Sequence, residues 1–190
     1  PDRSGFVSPR RLLEELFRRM EPGGILTADV GQNQIWAARS FRLVGGRFLT
    51  SGGMGTMGYA IPAAIGAKTA APERQVAAVC GDGSFQMSMM ELATMRQHDI
   101  DVKLVVFANG RLGMVRELQE RQYSRMEAVD LSGSPDFVKL AEAYGIPAFR
   151  AETNEEVPSA LDAFFAREGT ALLEVRVDPE EPTLPPDLYE

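Results

Sequence analysis

Cysteine, histidine and tryptophan occur once each in the 190 residues. The lone Cys80 excludes an internal disulfide, suits a reducing compartment and reads as a small buried hydrophobe. The only histidine, His98, falls at the end of an expected helix, where the dipole favours a surface cation rather than a catalytic group. Trp36 reads as a packing residue of its helix. Positive charge is also short, 20 Lys and Arg against 27 Asp and Glu for a net −7, which argues against nucleic acid as the main partner. No apolar run approaches the roughly 18 residues that a transmembrane helix needs, and the amino terminus lacks the order of a signal peptide. No membrane association is therefore expected, and the cytoplasm is the expected location. Internal repeats and low-complexity tracts are absent.

What is present is ordinary globular material, 44% hydrophobic and 25% charged, enough for one domain with a real core. The chain opens on Pro1 rather than Met and closes on a proline-rich run. Both ends, 179–190 included, read as linker or tail, and the chain reads as a piece of a longer polypeptide.

Strands and helices are expected to alternate throughout. Ser8 and Pro9 start a helix whose apolar face is Leu12, Leu13, Leu16, Phe17 and Met20. Strands are expected at 25–30, 48–50, 75–80, 102–107, 148–150 and 171–177. Helices are expected through Trp36, over 59–70, over 85–98 with Met87, Met90, Leu92 and Met95 at helical spacing, from 112, over 136–144 and over 155–167. Alternation with unbroken apolar strands predicts an α/β fold, a parallel sheet with helices on both faces. In such sheets ligands bind beyond the carboxyl ends of the strands, where strand order reverses.

Two oxygen-bearing side chains stand at such strand ends. Asp82, in Val79-Cys80-Gly81-Asp82-Gly83-Ser84, follows one apolar run, and Asn109 follows the next, 27 positions later. Carboxylate and amide oxygens on neighbouring strand tips suit Mg²⁺, which takes oxygen ligands and shares them with water and substrate phosphates. Adjacent glycines let backbone N–H groups approach phosphate oxygens closely. In an overall negative field a bound diphosphate must be neutralised locally, by a metal and by backbone dipoles. Taken alone, Asp82 reads as a helix cap. Gln32 and Gly55 also follow expected strands and fall along the same edge.

A rival reading starts from Gly53-Met54-Gly55-Thr56-Met57-Gly58, which matches the G-x-G-x-x-G pattern of an NAD-binding Rossmann domain, with Asp82 24 residues beyond. The strand before it is very short for such a unit. A dinucleotide fold also gives no reason for the glycine-flanked loops at Asp82 and Asn109.

Five blocks taken in order carry a resemblance. They are Thr27 to Gln32, the run 49–68 around Gly53-Met54-Gly55, Gly81-Asp82-Gly83-Ser84-Phe85-Gln86-Met87, Leu112-Gly113-Met114-Val115, and Asp136 to Gly145. From Ile25 to Asp178 the chain resembles the carboxyl-terminal thiamine-diphosphate-binding domain of the acetolactate synthase (acetohydroxyacid synthase) large-subunit family. The thiamine signature opens on Gly81-Asp82-Gly83 and closes on Ala108-Asn109, with Ala108 in place of the first of two asparagines.

The resemblance implies a role for each matching position. Asp82, the side-chain oxygen of Asn109 and the backbone carbonyl of Arg111 would bind Mg²⁺. Gly81, Gly83 and Ser84 would form the diphosphate loop, with N–H groups from Gly83 and Ser84 and the hydroxyl of Ser84. Gln32 would contact the diphosphate, and Asn33 stands where the family usually has His. Gly55 would offer backbone to the aminopyrimidine, Met57 would hold the cofactor bent, and Met114 would line the pocket. On their own the two methionines read as core fillers.

The implied activity is decarboxylation of pyruvate and condensation of the resulting enamine with a second 2-oxo acid, in branched-chain amino-acid or acetoin pathways, with thiamine diphosphate carrying the chemistry. The implied partners are small 2-oxo acids and a pyrimidine-binding domain of the same or a partner subunit, within a homo-oligomer. That domain supplies an activating glutamate with no counterpart here, so this chain alone is expected to bind cofactor weakly and not to turn over. Leu118 stands where biosynthetic members commonly carry Trp, which bears on the second substrate. Related thiamine decarboxylases and carboligases, or a non-catalytic cofactor-binding module, are alternatives. Arg116 and Arg125 read as a solvated face, with Arg116 also able to reach a substrate carboxylate.

Overall fold

The strand-length apolar runs fold as six strands, β1 (Ile25–Ala28), β2 (Arg47–Thr50), β3 (Val76–Gly81), β4 (Lys103–Ala108), β5 (Ala148–Ala151) and β6 (Ala171–Arg176). Between and before them run α1 (Pro9–Arg19), α2 (Gln32–Ser40), α3 (Ala60–Ala70), α4 (Asp82–Gln86), α5 (Glu91–Gln97), α6 (Gly113–Tyr123), α7 (Phe137–Ala143) and α8 (Val157–Phe165). The computed structural model describes residues 5–123 and 125–184; the linker expected at 1–4 and the end of the tail at 185–190 lie outside the described residues.

All pairings are parallel and the strand order is β2-β1-β3-β4-β6-β5. Strand order reverses between β1, which leads outward to β2, and β3, which leads on to β4. The register puts Ala28 beside Val79 and Gly81 beside Phe107, so the tips of β1, β3 and β4 end at nearly one level. Ligand crevices of α/β sheets open at such a switch point.

The central strands are apolar throughout because both of their faces are covered. Ala77, Val79, Val105 and Phe107 point toward α1, α2 and α8, where Leu12, Leu16, Trp36 and Phe164 meet them. Their neighbours Ala78, Cys80, Leu104 and Val106 point to the opposite layer, with Ile61, Leu92, Met95 and Phe137. This is the expected parallel sheet with helices on both faces. Cys80 is a buried free thiol, and His98 caps the exposed end of α5.

Two expectations need correction. The helix expected over 85–98 is two helices, because residues 87–90 form turns in which Met87, Ser88 and Glu91 bond to the carbonyl three residues back. That tightening leaves Met87 and Met90, expected on the buried face, 55% and 57% exposed. The backbone of Gly58 lies against Met87, where an added Cβ would come within 3.1 Å.

Helix α6 also departs from expectation, burying Arg116 and Glu117 while exposing Val115, Leu118 and Tyr123. Arg116 is 3% exposed and pairs with Glu180 at 2.8 Å and Glu120 at 2.9 Å. It is therefore an internal ionic tie rather than part of a solvated face. Arg125 is exposed, as expected, beside Glu127. Among the described residues no helix is long and apolar enough to cross a membrane.

Candidate functional site

The tip of β1 is organised by Asp29, a fully buried carboxylate. One oxygen accepts the N–H groups of Val30 and Gly58 and the other that of Ala60, each at 2.9 Å. Burial raises the Asp29 carboxyl above its ordinary range, while the N–H groups of Ala60, Val30 and Gly58 pull it back. Asp29 thereby ties the loop that carries Met57 to the sheet. Asn33, the second residue of α2, donates its amide to the carbonyls of Asp29 at 2.7 Å and Val79 at 3.4 Å, joining the tips of β1 and β3.

At the tip of β3 the chain turns directly into α4. Asp82 is 2% exposed; its Oδ1 accepts from Gly83 N at 2.8 Å, and its Oδ2 accepts from Gly110 N at 2.6 Å and Asn109 N at 3.1 Å. The carboxylate of one strand loop therefore holds the backbone of the next. Burial pushes the Asp82 carboxyl up to about 6, against the N–H groups of Gly110, Gly83 and Asn109, and no cationic side chain contributes. Ser84 Oγ accepts from Gly81 N at 3.0 Å and donates to Gly81 O at 3.2 Å, so the hydroxyl expected to serve a diphosphate closes the first turn of α4. That helix is only five residues long, so its dipole is small and its individual N–H groups matter more. Gly83 is closely packed, since a Cβ there would lie 2.6 Å from Leu112 Cδ2 and 3.1 Å from Leu131 Cδ1, the flexible ends of two side chains.

At the tip of β4, Asn109 Nδ2 donates to Gln32 Oε1 at 3.0 Å, and Asn109 Oδ1 accepts from Arg111 N at 3.1 Å. Gln32 Nε2 in turn donates to Glu117 Oε1 and to the carbonyl of Glu181, both at 2.7 Å. Residues 181–183, within the expected tail, pass across this rim. Trp36 Nε1 donates to Pro182 O at 3.0 Å and Thr183 N to Glu117 Oε1 at 2.6 Å.

One pocket collects these groups. Gln32, Asn33, Met57, Gly81, Asp82, Gly83, Ser84, Asn109, Arg111 and Met114 all line it, together with Trp36, Phe107, Leu112 and Gly113. Gly55 does not: it sits in an exposed turn at φ +63° with open space where a Cβ would be. Glu117 went unnoticed in the sequence, where nothing marks one acidic residue of a charged helix as buried. Asp29 carried the same signal as Asp82, an acid directly after an apolar strand, and was read only as part of a motif. Trp36 does pack, edge-on to Phe107 at 5.6 Å between ring centres, but it also walls the pocket.

The donor set fits a hard cation held against phosphate. It comprises a buried carboxylate that, among the described residues, has no cationic side chain paired with it, an amide oxygen and backbone carbonyls. Among the described residues no three His, Cys, Asp or Glu side chains gather into a metal cluster.

A family model described as thiamine pyrophosphate enzyme, C-terminal TPP binding domain, matches residues 29–175. The chain belongs to this family. Among its relatives is a probable acetolactate synthase large subunit of Methanocaldococcus jannaschii, 42% identical over 190 residues, covering 95% of this chain and 32% of the relative. An acetolactate synthase of Mycobacterium bovis is 45% identical over 85% of this chain and 27% of its own length. A mitochondrial acetolactate synthase catalytic subunit of Aspergillus candidus is 42% identical over 97% of this chain and 27% of its own. The chain thus spans about a third of the length of the relatives it matches.

As a TPP-binding domain it also accounts for the G-x-G-x-x-G run. That run follows β2, the edge strand; Gly53 and Gly55 have nothing within 4 Å of an added Cβ, and the close neighbour of Gly58 is Met87, beyond α4, rather than the strand before it. The close strand-to-helix packing that a dinucleotide fingerprint requires of its glycines is not made there.

Proposed function

We propose that this chain is the thiamine-diphosphate- and Mg²⁺-binding domain of an acetolactate synthase, one domain of a longer protein. The observation that carries the reading is Asp82, a buried carboxylate with no cationic partner among the described residues, clamped onto the Asn109–Gly110 backbone at the switch point of the sheet. A divalent cation there would satisfy the carboxylate and draw a diphosphate to a rim lined with backbone N–H groups.

In this reading Asp82, Asn109 Oδ1 and the carbonyl of Arg111 hold Mg²⁺, and the Gly81–Ser84 turn with Gln32 and Asn33 faces the diphosphate. Met57 and Met114 provide apolar walls for the rings, while the expected contact from Gly55 to the pyrimidine would have to be made outside the pocket that these residues line. Thiamine diphosphate supplies, when bound, an electron sink for decarboxylating a 2-oxo acid such as pyruvate and transferring its two-carbon remainder to a second 2-oxo acid. The domain's own part is to bind, orient and keep water from the reacting end.

The remaining partner is a pyrimidine-binding domain, of the same or another subunit of a homo-oligomer, carrying the activating glutamate. Support comes from the relatives, large or catalytic subunits much longer than this chain, which covers 32% and 27% of two of them. A cytoplasmic setting, in branched-chain amino-acid or acetoin metabolism, suits the single buried thiol.

Calorimetric titration with thiamine diphosphate, with and without Mg²⁺, tests the reading on the full-length protein that carries this chain. Metal-dependent binding is expected. Absence of binding, binding indifferent to Mg²⁺, or tight binding of a nicotinamide dinucleotide instead would defeat it.

A further inference from the structure

Two amides face each other at the pocket rim, and which end of each faces which is decided by groups that can only accept. Gln32 Nε2 meets Glu117 Oε1 and the carbonyl of Glu181. Neither a carboxylate nor a carbonyl has a proton to give, so Gln32 turns its NH₂ toward them and its oxygen toward Asn109. Asn109 must then present Nδ2 to Gln32. Its Oδ1 is left on the opposite side, where it takes the Arg111 N–H and retains a second lone pair. An unconstrained asparagine amide has two orientations of similar shape, and only one of them offers oxygen to a cation.

Glu117 is itself held. Thr183 N donates to its Oε1, Arg121 lies 3.5 Å from its Oε2 and Arg116 3.9 Å from its Oε1. The amide pair is clasped against the start of α6, for a Cβ on Gly113 would stand 1.9 Å from Gln32 Oε1 and 3.1 Å from Asn109 Nδ2.

We infer that Glu117 is a positioning residue for the metal: by holding Gln32 it orients the Asn109 amide so that oxygen rather than nitrogen faces the cation. The inference rests on the thiamine diphosphate and Mg²⁺ reading above. It makes Gln32 a link in the ligand set and not only a neighbour of the diphosphate. Partners that orient a metal ligand are typically worth roughly 10–100-fold in metal affinity.

The test measures the Mg²⁺ concentration needed for half-maximal thiamine diphosphate binding, and the cofactor affinity at saturating Mg²⁺, in the full-length protein and in Glu117→Ala, Glu117→Gln and Gln32→Met. Thermal midpoints are recorded for each. Glu117→Ala and Gln32→Met are expected to raise the Mg²⁺ requirement by roughly tenfold or more; for Glu117→Ala, at a position that does not face the diphosphate, the change in cofactor affinity once Mg²⁺ saturates is much smaller. Glu117→Gln keeps an acceptor oxygen for Gln32 and Thr183, and should restore most of the effect. Should Glu117→Ala not fold, Glu117→Met, which fills much of the same space without an acceptor for Gln32, takes its place. An unchanged Mg²⁺ requirement overturns the inference, as does a fall in thermal midpoint and cofactor affinity with no selective effect of Mg²⁺. Wild-type binding that ignores Mg²⁺ overturns the metal reading itself and the inference with it.

Discussion

Asp29 Oδ2 and the backbone nitrogen of Ala60 stand 2.9 Å apart, a bond that joins the tip of β1 to the start of α3 across 31 residues. With the matching bond from Gly58 it suspends the Met57 loop from the sheet. Asp29→Ala would leave two or three N–H donors without a partner in a buried setting. At ~1–3 kcal/mol for each such group, a loss of roughly 2–5 kcal/mol is expected. Denaturant unfolding checks it; a loss within experimental error would mean the loop does not depend on the carboxylate.

The pH dependence of stability follows from Asp82. Its carboxyl is raised in the fold to about 6 from an ordinary 3.8. The folded chain therefore holds a proton in the window between about pH 4 and 6 where the unfolded chain has released it, so stability falls as pH rises through that window. Without metal, the thermal midpoint of the native protein should decline relative to Asp82→Asn between about pH 4 and 7. Mg²⁺, which takes the ionised form, should recover stability above about pH 6. A difference between the two proteins that stays flat with pH would contradict this.

Asp82→Ala removes the buried carboxylate at the tip of β3 and releases the N–H groups of Gly83, Asn109 and Gly110. Metal-dependent cofactor binding is expected to weaken by roughly a hundredfold or more, about 2.7 kcal/mol. The comparison that matters is calorimetry with and without Mg²⁺. Equal affinity for native and variant protein would take Asp82 out of the site.

Gly83→Ala probes the close packing of the β3 turn against Leu112 and Leu131. The added Cβ meets the flexible ends of two side chains, so a modest destabilisation of about 1–2 kcal/mol is expected, at the low end of overpacking. Leu112 also lines the pocket, so cofactor affinity should fall with it. Thermal unfolding and a binding titration together check both effects, and wild-type values in both would show that the turn has slack.

The α/β architecture was legible because its signals are local. Runs such as Val76–Gly81 and Lys103–Ala108 are apolar without alternation, which only a strand covered on both faces needs. Asp82, Asn109 and Gln32 each follow such a run, so a parallel sheet brings them to one edge without further information. The break at residues 87–90 was not legible: Met87, Met90, Leu92 and Met95 fit a helical stripe equally well. Met87 lies beside Gly58, 29 residues away in sequence, a proximity that exists only in the folded chain. Arg116 was misread for a related reason, since its counter-charges Glu120 and Glu180 lie on the same helix and 64 residues on.

Residue order by itself determined the parallel sheet, the edge on which the acid and amide would meet, and the family to which the chain belongs, because each depends on periodicity or on motifs within a few tens of residues. Tertiary structure alone decided how the polar atoms at that edge pair. Gln32 reaches Glu117 across 85 positions and Asp82 reaches Gly110 across 28. Such bonds depend on the register of β1, β3 and β4 and on how close Gly113 lets α6 approach. A hydrogen bond is a matter of tenths of an ångström, and those distances are set by the packing of the whole chain.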